Sequence, residues 1–140
     1  MTLRFLGDIA PDQVPELVRC VAAETAPLPH FRMHLGAVRP FPNSRRPDVV
    51  VLEVGPEEAL AEVFAAVERG VTAAGFAPEE RAFRSHLTLG RLRGGEFPDV
   101  TGAVTPEGQA FDVTEIVLFR SELQRSGARH TALERMQLAG

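Results

Sequence analysis

The stretch AFRSHLTLGRLR, residues 82–93, holds the densest collection of groups able to do chemistry. His86 and Thr88 stand two apart, so in a strand both side chains leave the same face. Leu87 and Leu89 leave the other face and are expected to anchor in the core. An imidazole moves a proton near neutral pH, and a neighbouring hydroxyl donates to an anionic oxygen. Arg91 and Arg93 follow and can neutralise a phosphate, although strict alternation puts Arg91 on the face opposite His86. An isolated His-x-Thr is common by chance and by itself reads as a half-exposed strand histidine. The N-terminus repeats the frame: Thr2-Leu3 matches Thr88-Leu89, a weak two-copy repeat. Arg4 shares the face of Thr2 in a strand over 2–6 and can line the same cleft.

These residues need elements to hold them. After the strand over 2–6, Pro11 suits a first helical turn. Val14, Leu17, Val18, Val21 and Ala22 then recur at helical spacing, until Pro27 and Pro29 close the helix. Phe31, Met33 and Leu35 alternate with Arg32 and His34, which predicts a strand with one wet face. Residues 40–47, PFPNSRRP, read as a loop. Residues 49–54 form a nearly continuous apolar strand, expected to be central or covered on both faces. A helix follows over 56–74, with Pro56 at its start, Glu57 and Glu58 at its positive end and Gly75 as its stop. Residues 85–92 form the strand that carries His86, bounded by Gly94-Gly95. Residues 96–108 read as irregular. Residues 111–120 and 130–138 form a hairpin about Gly127. Adjacent strands joined without helices imply antiparallel pairing and an α+β fold. No linker divides the chain, so residues 1–140 read as one domain.

Composition excludes whole classes of function. With 44% hydrophobic and 24% charged residues the chain has the means to fold, and 140 residues can enclose a core without disulfides. No apolar run approaches the ~18 residues of a membrane span, and MTLRFLGDIAPDQ has no signal-peptide pattern. Cys20 is the sole cysteine, which excludes an internal disulfide and a cysteine-built zinc site. Its place on the first helix reads as buried and inert. These features point to a cytoplasmic protein. Every basic residue is Arg, and no Trp or Tyr is present, a bias of GC-rich coding more than of function. A net charge of −4 argues against broad electrostatic binding of nucleic acid and leaves room for a small, focused anion site. The acidic run, seven Glu against Arg69 over 53–80, reads as a solvated helix face.

Taken in order, four segments carry a resemblance. TLRFLGD at 2–8 resembles the first motif, His-x-Thr-Leu-x-Phe-Leu-Gly, of the RNA 2′,3′-cyclic phosphodiesterases, the bacterial 2′-5′ RNA ligase branch of the two-histidine phosphoesterases. FRSHLTLGR at 83–91 resembles the second motif. RPDVVVLEVG at 46–55 is similar to the family's Arg-Pro-x-Val strand, and 113–123 with 128–135 to its closing hairpin. The resemblance implies a two-lobed α+β fold of mainly antiparallel sheets, with outer helices around a central cleft. It implies opening of a 2′,3′-cyclic phosphate at an RNA end to leave a 2′-phosphate, and in some members a slow 2′-5′ ligation in reverse. No metal or other cofactor is implied.

On this resemblance His86 is an acid or base, and Thr88 and Thr2 are hydroxyls on the phosphate oxygens. Arg91, Arg4, Ser121 and His130 are candidate substrate contacts, although His130 also reads as a solvated strand histidine. His34 and His30 read as bland. Ser85 stands where Pro is frequent, and His130 where Tyr is frequent. The first-motif histidine would precede Met1, so the chain is expected to begin mid-strand, lacking the family's first strand and helix. The alternative is a non-catalytic RNA-end or nucleotide-binding domain. A histidine-complete form is expected to hydrolyse cyclic nucleotides at least about 10²-fold faster. The complete protein is expected to be a monomer. The chain beginning at Met1 is expected to leave a sheet edge or an apolar face uncovered, with low solubility or dimerisation through that edge.

Overall fold

The structure is a computed structural model that describes residues 1–94, 96, 97, 99 and 105–140. A 3₁₀ turn, Pro11–Gln13, leads into helix α1 (Val14–Thr25), followed by strands β1 (Phe31–Phe41) and β2 (Val49–Gly55). Helix α2 (Glu57–Ala73) precedes β3 (His86–Arg91), β4 (Ala110–Val113), β5 (Glu115–Gln124) and β6 (Gly127–Gln137). The architecture is α+β. Four strands pair in the order β3-β2-β1-β4, and β5-β6 form a separate two-stranded sheet. Every ladder within these sheets is antiparallel. Among the described residues, no helix is long and apolar enough to cross a membrane.

The helices lie where their periodicity and breakers put them. Pro56, in extended backbone, is the residue before α2 rather than its first turn. Gly75 takes φ +92°, the left-handed geometry that ends a helix. One helical glycine has a different reason. A Cβ on Gly70 would sit 2.6 Å from the Cα of Val21, so α1 and α2 cross at a distance that only glycine permits.

Two apolar clusters hold the fold. Leu17 and Val21 of α1, Val67 and Val71 of α2 and Met136 of β6 form the first, joined by Leu3, Leu6, Ile116 and Leu118. Met33 and Leu35 of β1, Leu52 and Val54 of β2 and Leu60 of α2 form the second, joined by Leu87 and Phe83. Helix α2 therefore contributes to both, with Leu60 near its start and Val71 near its end.

Three expectations are corrected. Residues 2–6 form no strand among the described residues. Leu3 and Leu6 pack on the first cluster, so side chains rather than a ladder hold this segment. Strand β1 runs on through Pro40 and Phe41, which stand opposite Val50 and Val49, so the loop begins at Pro42. The apolar strand β2 is central, as expected, and Glu53 is its exposed residue. The expected strand over 111–120 is two strands: β4 pairs with β1, and the chain crosses at Thr114 to the other sheet. Gly95 and part of the irregular stretch 96–108 lie outside the described residues. Phe5 and Leu123, the latter on β5, are 73% and 93% exposed.

Candidate active site

Strand β3 sits at one edge of the four-stranded sheet and pairs with β2: His86 opposite Glu53, Leu87 opposite Leu52 and Thr88 opposite Val51. Leu87 packs on the second apolar cluster and fixes which face is buried. His86 and Thr88 consequently share the polar face, as their spacing predicts. The register then slips. Gly90 faces Val50 and Arg91 faces Val49, leaving Leu89 as the extra residue of a β-bulge. This has two effects that alternation hides. Leu89, expected in the core, is 51% exposed. Arg91, opposite Val49, returns to the face of Val51 and Thr88, the face of His86.

The imidazole of His86 is held from two sides. Its Nδ1 lies 2.7 Å from the carbonyl oxygen of Arg84. A carbonyl accepts and cannot donate, so Nδ1 carries the hydrogen and Nε2 is the atom left to exchange protons. The ring also stacks on Phe41, with centroids 4.4 Å apart and planes 22° from parallel. The Arg84 guanidinium lies 4.5 Å from the same phenyl centroid and donates to the Pro42 carbonyl at 3.2 Å. Just before His86, the Ser85 hydroxyl donates to the Val54 carbonyl at 3.2 Å and ties the strand end to β2. A pocket of about 450 Å³ opens here, lined by Arg39, Phe41, Glu53, Glu57, Ser85 and His86 among others. Arg39 and Glu53 are mutually engaged at 3.1 Å.

Thr88 and Arg91 share the face of His86 but do not line this pocket, and the other expected residues lie elsewhere. Ser121 and His130 face each other across β5 and β6, and the Ser121 hydroxyl meets His130 Nδ1 at 2.9 Å. Neither lines the His86 pocket, and His130 leans edge-on against Phe119. Thr2 is exposed in irregular backbone and does not line that pocket either. The cleft reading of Arg4 is corrected. Its guanidinium contacts Glu79 at 2.7 Å, Glu68 at 3.1 Å and the Ala77 carbonyl at 2.6 Å, and its side chain is 12% exposed. Arg4 straps the N-terminal segment to the end of α2, so Glu68 and Glu79 are not the solvated face that the acidic run suggests. Cys20 is buried as expected, and burial pushes its thiol pKa up.

Glu79 carries a pH dependence. The Glu79 carboxyl falls from 4.5 to about 2, chiefly through the hydrogen bond from the Arg81 side chain, with help from the Arg81 backbone N–H and the Arg4 charge. A carboxyl harder to protonate when folded stabilises fully above the unfolded value of 4.5 and loses that contribution as pH falls toward 2. Glu79→Gln is expected to flatten the acid limb in that window, measured by circular dichroism melts. An unchanged acid limb contradicts the pairing of Glu79 with Arg81.

Sequence reasoning passed over Phe41, placed in a loop, and His34, read as bland. His34 lies on the same polar face, opposite Gly55. Its ring covers that glycine, where a Cβ would stand 2.5 Å from Nε2.

Comparison with known proteins agrees with this geometry. The family model of the 2′-5′ RNA ligase superfamily matches residues 1–125. An RNA 2′,3′-cyclic phosphodiesterase of Aeropyrum pernix is 30% identical over 145 residues, covering 99% of this chain and 81% of that protein. One from Geobacillus stearothermophilus is 30% identical over 129 residues, 90% of this chain, which spans 41% of that relative's length. TT0787 of Thermus thermophilus superposes with TM-score 0.77 at 26% identity, over 99% of this chain and 77% of that one. Apo LigT of E. coli gives TM-score 0.75 at 25% identity, over 99% and 75%. With a family model spanning most of its length and the His-x-Thr strand placed on an open polar face, this chain belongs to the 2′-5′ RNA ligase superfamily.

Proposed function

We propose that this protein opens 2′,3′-cyclic phosphates at RNA ends and leaves a 2′-phosphate, by histidine acid/base catalysis. The relatives from Aeropyrum pernix and Geobacillus stearothermophilus bear that activity in their names. The observation that carries the reading is the fixed imidazole of His86, with Nδ1 engaged and Nε2 without a hydrogen-bond partner among the described residues, on one face with Thr88 and Arg91. In the reaction a water oxygen attacks phosphorus and gives up a proton to a base. The bond from phosphorus to O3′ breaks, and O3′ takes a proton from an acid. His86 Nε2 performs one of these transfers, worth about 10²–10⁴-fold. The Thr88 hydroxyl donates to a non-bridging oxygen as charge builds there, and Arg91 offsets that charge. Thr2 takes the second hydroxyl role by its motif. With an RNA 5′-hydroxyl in place of water, the same step joins a 2′-5′ linkage. No step requires a metal or another cofactor.

The partner is the RNA end rather than its length, because a net charge of −4 argues against broad electrostatic binding of nucleic acid. The test is an RNA oligomer ending in a 2′,3′-cyclic phosphate, with the product resolved by chromatography. A 2′-phosphate end supports the proposal, and a 3′-phosphate end or no change opposes it. A second reading, a non-catalytic binder of such ends, is favoured by one observation: among the described residues lining the pocket, His86 is the sole imidazole. Binding of the cyclic end without turnover selects that reading.

A further inference from the structure

We propose that Phe41 is a positioning residue that sets the plane of the His86 imidazole; this role rests on the cyclic phosphodiesterase reading above. Two torsions must be fixed for Nε2 to meet a phosphate reproducibly. The hydrogen bond from Nδ1 to the Arg84 carbonyl, 2.7 Å, fixes where the ring edge points but leaves the ring able to tilt about that bond. The Phe41 ring, stacked at 4.4 Å and 22°, removes the tilt.

Phe41 is in turn held. It closes β1 opposite Val49, the residue that Arg91 faces from the other side. The Arg84 guanidinium lies 4.5 Å from its centroid and is anchored on the carbonyl of Pro42, the next residue. Arg84 therefore acts twice, its backbone on the imidazole and its side chain on the phenyl ring that faces the imidazole. This places the three groups in one clamp along the lining of the pocket.

The phenyl ring has no comparable role in the core. Phe41 is half-buried and, among the described residues, belongs to neither apolar cluster, unlike Phe31 and Phe83, which pack on the second. Its ring lies against the catalytic candidate instead. A positioning role makes a demand that apolar filling does not: the group must be flat. Leu supplies similar apolar bulk without a face to stack, whereas Tyr keeps the face.

The experiment compares wild-type protein with Phe41→Ala, Phe41→Leu and Phe41→Tyr. It measures kcat and KM on adenosine 2′,3′-cyclic phosphate, thermal melting, and the NMR signals of the His86 ring protons. A misplacement of about 1 Å can cost on the order of 10²-fold in rate. Ala and Leu are expected to lose kcat toward that extent with KM and melting temperature unchanged, and Tyr to retain it. The His86 ring protons, shielded by the phenyl ring current in the wild type, are expected to move downfield in Ala and Leu and to stay in Tyr. Wild-type kcat in Phe41→Leu, or a change confined to KM, overturns the role while the functional reading stands. Absence of turnover in the wild-type protein overturns that reading and the role with it.

Discussion

Replacing His86 with glutamine is expected to slow hydrolysis of adenosine 2′,3′-cyclic phosphate by about 10²–10⁴-fold, the usual worth of a positioned acid or base. Glutamine keeps an amide able to accept and donate hydrogen bonds but does not exchange a proton near neutral pH. Little else should change. His86 lies on an edge strand and is half-buried, and Leu87 supplies the strand's grip on the core. The melting temperature should therefore stay close to wild type while the initial rate collapses. A variant that hydrolyses at the wild-type rate removes His86 from the reaction. A variant that loses rate and folding together leaves the acid/base role without support.

Leu52→Ala is expected to do the reverse. Leu52 is 1% exposed, sits in the second apolar cluster and stands directly opposite Leu87 on β3. Its truncation removes transfer energy and leaves a cavity, together about 2–5 kcal/mol. Domains of this size are stable by about 5–15 kcal/mol, so the change takes a large share of the total. Urea titration followed by circular dichroism should show a markedly lower midpoint with an unchanged slope. A midpoint equal to wild type contradicts the packing of Leu52 against Leu87. The two variants divide the labour of β3, one face holding the strand and the other offering His86.

Much of this division is legible in the residues themselves. The alternation of His86, Leu87 and Thr88 gives the strand and its faces, and the 3.6-residue period of Leu60, Val63, Val67 and Val71 gives α2 and its buried stripe. What escapes sequence reading depends on tertiary pairing. The bulge at Leu89 follows from how β3 meets β2, and it exposes a leucine while returning Arg91 to the face of His86. Strict alternation has no means of seeing it. Thr114 looks like one more residue of a strand until two sheets compete for the chain on either side. Arg4 has the right charge and face for a cleft, yet Glu68 and Glu79, more than sixty residues away, claim it first. Phe41 lies in a run with three prolines, a sound loop signal that says nothing about a ring stacked on a histidine from another strand.

The central claim is that water attacks phosphorus of a 2′,3′-cyclic phosphate in a His86-dependent step. Hydrolysis of adenosine 2′,3′-cyclic phosphate in H₂¹⁸O, read by mass spectrometry, tests it directly. The expected product is adenosine 2′-phosphate with a single ¹⁸O on its phosphate and none in the ribose, formed by the wild-type protein and suppressed in His86→Gln. Cyclic nucleotide left intact by the wild-type protein, label in the ribose, or equal product from both proteins contradicts the claim.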